Sequence, residues 1–243
     1  MLKSATGRCT KIFALILALV IAAPAQLMQQ IVSVPAPVSG GGGTITPGSW
    51  ATPVTFTGAT ASGTASLSPS AGQRVTLFIF TNAVTTAMGC VDSGSNALTA
   101  GPQASTASSD LYAFTENVGS GITGFSCSWS GSANGWLMVG AYTNVAGGVN
   151  GSICSGVCEI NANSGTASLT GTTQDANDYL VCAFADKASA TFTVTVGTSR
   201  AAVTTGASRG VALDNTVASA GTVSCTATLS TNVWLAVGIE LRT

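Results

Sequence analysis

The chain has 243 residues, and charged residues make up only 7% of it, far below the roughly 25% of ordinary globular domains. It has no histidine, which removes the commonest metal ligand and the commonest general base, and eight basic against nine acidic residues give no polybasic surface for nucleic acid. Apolar residues at 46% argue against a disordered polar tract.

The first 25 residues read as a secretory signal peptide. Lys3, Arg8 and Lys11 form a positive segment, residues 12–23 (IFALILALVIAA) form an apolar run, and Ala23-Pro24-Ala25 fits a small-x-small cleavage site before Gln26. The run is shorter than the roughly 20 apolar residues of a membrane span, so membrane contact is expected only through the leader before cleavage. Without that leader, five basic residues face nine acidic ones, a formal charge of −4. Residues 26–52 are Pro-rich and then Gly-rich, a composition that predicts a flexible linker. A folded body is expected over 53–243.

That body reads as short strands separated by Ser-Gly, Asn-Gly and Ala-Gly turns. Residues 75–80 (VTLFIF) and 179–184 (YLVCAF) are near-continuous apolar runs, which suit strands buried on both faces. Phe125, Cys127 and Trp129 alternate with serines, the period of two of a half-buried strand. Residues 191–196 (TFTVTV) repeat that pattern. No segment after the leader sustains a 3.6-residue apolar period.

The body contains an internal repeat. Cys127-x6-Asn134-x-Trp136-Leu137-x-Val139-Gly140 recurs 98 residues later as Cys225-x6-Asn232-x-Trp234-Leu235-x-Val237-Gly238. Glu116-Asn117 matches Asp214-Asn215 at the same offset, and residues 62–67 (SGTASL) recur at 164–169. Two copies are too few for a solenoid. Half-repeats of about 53–145 and 160–243 therefore either interleave alternate strands in one pseudo-two-fold sandwich or fold as two small sandwiches. The first arrangement is expected, since about five strands alone make a thin core.

Residues 72–80 (GQRVTLFIF) and 177–184 (NDYLVCAF) stand as two buried strands, 92–96 (DSGSN) as a turn and 110–114 (DLYAF) as an aromatic strand. Together, over about 50–243, they resemble the jelly-roll-like β-sandwich modules that recur in bacterial secreted and cell-surface proteins. The resemblance implies an extracellular module, adhesive or carbohydrate-associated, without catalytic residues. The fold class expected is thus an all-β, jelly-roll-like sandwich with an internal repeat, behind a signal helix and a linker.

Six cysteines follow the leader: Cys90, Cys127, Cys154, Cys158, Cys182 and Cys225. An even number in an exported chain makes all six disulfide candidates, with the pairing open and a local Cys154–Cys158 bridge conceivable. One C-x3-C without histidine falls short of a zinc site. Asp92 to Asn96 and Asp175-x-Asn177-Asp178 offer oxygens but no full calcium loop, and Asx residues are common in turns. No cofactor or metal is expected. Trp136 and Trp234 read as core, whereas Trp50 and Trp129 are candidates for stacking on a ligand such as a sugar ring. Glu116 and Asp214 are the candidate carboxylate pair of a glycosidase, against the simpler reading as strand-end residues. Asn150-Gly151-Ser152 matches a glycosylation acceptor. The function expected is a non-enzymatic adhesive or structural module with carbohydrate, another surface protein or its own copies as partner. A carbohydrate-binding module and, further off, a glycoside hydrolase are the alternatives.

Overall fold

The computed structural model describes residues 43–146, 155–156, 159–188, 190–204, 206 and 208–243. The leader, the linker up to residue 42, Asn150, Cys154 and Cys158 lie outside the described residues.

The described chain is all β. The first half supplies β1 (Thr46–Trp50), β2 (Val54–Ala65), β3 (Arg74–Thr81), β4 (Thr86–Asp92), β5 (Thr99–Thr106), β6 (Ser109–Asn117) and β7 (Phe125–Thr143). The second supplies β8 (Ser155–Gly156), β9 (Glu159–Thr173), β10 (Tyr179–Asp186), β11 (Thr193–Val196), β12 (Thr198–Val203), β13 (Arg209–Thr216) and β14 (Gly221–Leu241). Each half makes one antiparallel sheet, and the two sheets pack face to face as a sandwich. The first runs β1-β7-β3-β6-β5, with β2 and β4 also on β7; the second runs β12-β13-β10-β14-β9-β8, with β11 also on β14.

This corrects the expectation of interleaved strands. Every strand pairs only within its own half, because β7 and β14 are long enough to serve two layers at once. Residues 135–142 of β7 pair with β3 and residues 125–130 with β4, while β2 pairs along residues 125–137. β14 does the same with β10 on one stretch and β11 on the other. Each sheet thereby curls over a core of its own. Val75, Leu77, Ile79, Phe125, Cys127 and Leu137 fill the first, and Leu169, Cys182, Phe184, Cys225 and Trp234 fill the second. A third core joins the halves, with Phe78, Phe80, Trp136, Met138 and Tyr142 meeting Val181, Ala183, Leu235, Val237 and Ile239. The two apolar runs are the central strands β3 and β10; each lies between two partners and faces two cores, which is why neither face could be polar.

The linker reading also changes at its end. Residues 46–50, inside the segment expected to be flexible, form β1, and the neighbouring Ile45 is buried in the joint core. β1 is an edge strand on β7, the place where a proline such as Pro47 costs no ladder bond.

The repeat carries a surprise. Trp136 faces the joint core, yet its counterpart Trp234 faces the private core of the second half. Cys127 and Cys225 both face private cores. The inversion therefore arises between cysteine and tryptophan, where the β14 register shifts between Thr228 and Asn232. Across that stretch β14 advances four residues, from Thr228 to Asn232, while β9 advances two, from Thr166 to Ser164, and both strands change the face they turn inward, β9 from Ala167 and Leu169 to Ile160 and Ala162.

Candidate functional site

Cys90 on β4 lies directly opposite Cys127 on β7, and the two form a disulfide. Cys182 on β10 is bonded to Cys225 on β14. Each half thus carries its own cross-link, consistent with an oxidising, extracellular setting. The repeat placed Cys127 and Cys225 at equivalent positions but not their partners, which come from non-equivalent strands. Cys154 and Cys158 lie outside the described residues.

The stacking candidates lie in packed surroundings. Trp129 is 5% exposed and tilts against Phe56 at 5.1 Å, so its faces are taken. Trp50 is half-buried and lies on Gly140, where a β-carbon would come within 2.1 Å of its ring; it also meets Tyr142 edge-on. Trp136 and Trp234 are core residues, as expected.

The carboxylates Glu116 and Asp214 are not brought together. Asp214 points into the joint core, where its Oδ2 accepts from Tyr142 Oη at 2.8 Å and Arg200 Nε at 2.8 Å. This bond to Tyr142 ties the two sheets. Burial, followed by the charge of Asp214, pushes the Tyr142 phenol well above its ordinary range. Glu116 instead belongs with Asp92 at the turn end of the first half. Burial and the neighbouring Asp92 raise Glu116 to about 7, so the protonated carboxyl donates to Asp92. Burial works against ionising Asp92 too. It is outweighed by hydrogen bonds from the side chain and backbone of Asn96, from Glu116 and from the Gly94 amide, which leave Asp92 below its ordinary value.

The two oxygen-rich segments are turns. Asp92 Oδ1 accepts from the Gly94 and Asn96 amides, and Oδ2 from Asn96 Nδ2. Asp178 accepts from the amides of Asp175 and Thr243. Their oxygens hold the chain's own backbone, and among the described residues no three potential metal-ligating acids, cysteines or histidines cluster.

One polar cluster escaped the sequence reading. Asp110 is 1% exposed, and its Oδ2 accepts from Thr85 N at 2.7 Å, from Thr85 Oγ1 and from Tyr112 Oη, while Oδ1 has no partner. The Asp110-x-Tyr112 spacing places both side chains on one face of β6, which was readable; that β4 would begin beside them was not.

Beside this cluster opens a groove between β4 and β5. Its two compartments, of about 420 and 520 Å³, share Met88, Ala100 and Phe114. Thr85, Gln103 and Tyr112 line one end, and Ser126, Ser128 and the Cys90–Cys127 disulfide the other. A second recess of about 400 Å³ lies between the halves, where Phe80, Ser108 and Lys187 meet; Lys187 Nζ donates to the Ser108 carbonyl there. No protein-family model, curated protein or solved structure matches this chain.

Proposed function

We propose that this protein is an exported, non-enzymatic β-sandwich, of the kind found in bacterial secreted and cell-surface proteins, serving adhesion or scaffolding. The observation that carries the reading is the cross-linking of each half by its own disulfide, with the halves joined by a large apolar core and the Tyr142–Asp214 bond. Such a body resists unfolding outside the cell, where thiols oxidise and chaperones are absent. The buried carboxylates Asp92, Asp178, Asp186 and Asp214 all accept bonds from backbone or side chains that fix turns and strand ends, which is structural employment.

Assembly through sheet edges is the less favoured form of this role. Pro47 sits on β1, Pro102 lies within the bulge of β5, and Arg200 folds inward at the bulge of β12. Glu159 and Asn161 of β9 cap Gln103 N and the Ser105 carbonyl of β5. These are the devices by which edge strands avoid pairing with other chains.

The test has two parts. Intact mass of protein recovered outside the expressing cells should begin at Gln26, with cysteines alkylated only after reduction. Beads coated with that protein should then adhere to cells or matrix where beads coated with denatured protein do not. A full-length mass with freely alkylated cysteines, or equal adhesion by both beads, would reject the reading.

A further inference from the structure

The groove between β4 and β5 is the feature of the first half that its structural needs leave unexplained. Both strands are edges of the same curled sheet, and joining them would close it. They touch only at the turn, where Leu98 N donates to the Cys90 carbonyl and Val91 bridges Ala97. Beyond it each strand bulges, β4 between Thr86 and Gly89 and β5 between Ala100 and Gln103. Ala87, within the first bulge, holds a φ of 54°, a left-handed conformation that costs free energy in a non-glycine residue. Bulges of this sort concentrate at barrel rims and beside sites.

We infer that this groove binds a neutral oligosaccharide; the inference rests on the adhesive reading and names its ligand. None of the residues lining either compartment is charged, which disfavours ionic ligands. Its floor is apolar at Met88, Ala100 and Phe114, and its walls carry hydroxyls and the Gln103 amide. That mixture suits a sugar, whose ring offers CH groups to one side and hydroxyls to its rim. Tyr112 supplies the aromatic wall. Its ring lies near-parallel to Phe114 at 6.4 Å, and its hydroxyl is held by the Thr85 carbonyl and Asp110, so the ring is set before any ligand arrives. Asp110, with one oxygen unpaired, lies directly behind the Thr85–Tyr112 wall. An extended peptide is the rival occupant, but strand addition needs a regular edge. The bulges disrupt both ladders, and Pro102 has no amide proton to give.

The experiment is affinity electrophoresis of the disulfide-intact protein in gels containing β-glucan, α-glucan, galactomannan or soluble chitin, with polygalacturonate as the charged control. At least one neutral polysaccharide is expected to retard migration and polygalacturonate not to. Ala100→Arg, at an exposed groove position, is expected to weaken retardation at least tenfold, with near-UV circular dichroism unchanged. Tyr112→Phe, which keeps the ring but frees its anchor, is expected to weaken it less. Retardation by no neutral polysaccharide, undiminished retardation of Ala100→Arg, or binding of extended peptides in place of glycans would each overturn the site. Bead adhesion that persists without glycan retardation would overturn this inference while leaving the adhesive role standing.

Discussion

The contact between Trp136 and Gly210 is expected to be the tightest coupling between the two sheets. Trp136 of β7 is fully buried, and a β-carbon built on Gly210 of β13 would lie 2.3 Å from its Cζ2, 2.5 Å from its Cε2 and 2.8 Å from the Phe184 carbonyl. Ordinary carbon contacts are about 3.5–4.0 Å, so Gly210→Ala forces the indole back by more than about 1 Å in a core with little slack. Overpacking of this kind costs about 1–3 kcal/mol, against which alanine regains about 0.5–1 kcal/mol of strand preference. A net loss of about 1 kcal/mol is expected. Trp136→Leu alone should cost about 2–4 kcal/mol through the cavity it leaves. In the double variant the added methyl occupies part of that cavity, so the losses should fall short of their sum by at least about 1 kcal/mol. The Phe184 contact persists in both backgrounds and cancels in the cycle. The assay is equilibrium urea unfolding of all four proteins, followed by far-UV circular dichroism without reductant. Additivity within about 0.5 kcal/mol would refute the direct packing of ring on glycine.

Glu116 gives a pH signature. Its folded value of about 7 lies above its ordinary 4.5, so the folded state holds a proton that the unfolded state releases. That contribution is complete below about pH 4.5 and is lost as pH rises through 7. The urea midpoint should therefore fall between pH 5 and pH 8, and Glu116→Gln should flatten the fall; an unchanged slope would count against the Glu116–Asp92 pair. Asp92, held low, acts in a separate window below about pH 4. Tyr142→Phe should cost about 1.5–3 kcal/mol, the worth of a hydrogen bond to a charged group, and a loss under about 0.5 kcal/mol would deny the Tyr142–Asp214 tie. The disulfides close segments of 37 and 43 residues, and loop entropy assigns each about 4 kcal/mol. Cys90→Ala/Cys127→Ala and Cys182→Ala/Cys225→Ala should lower stability by similar amounts in urea unfolding, since each bridge lies within one half.

Much of the fold could be read from the chain because burial leaves a mark on composition. Residues 75–80 and 179–184 had to be apolar throughout to face two cores, and Phe125, Cys127 and Trp129 had to alternate to face one. What stayed hidden depends on register. Nothing near Cys127 or Cys225 distinguishes a partner on β4 from one on β10. The ordering of β1 depends on Ile45 finding the joint core and on Trp50 finding a glycine, contacts nearly 100 residues away in the chain. Glu116 and Asp214 match by position in the repeat, yet the first meets the buried Asp92 at the turn end of its own half and the second meets Tyr142 across the joint core. The groove was unreadable for the same reason: it lies between edges that meet only after the sheet has curled.

The inverted tryptophans suggest how two such copies came to share a core. A stretch such as Trp136-Leu137-Met138-Val139 or Trp234-Leu235-Ala236-Val237 is greasy on both sides, so it can be laid down either way up without exposing anything. Such an ambidextrous strand needs no separate sticky surface. The irregular stretch between Thr228 and Asn232 lets the second copy offer Leu235, Val237 and Ile239 to the joint where the first offers Trp136 and Met138, so one side of the strand can be altered without disturbing the other.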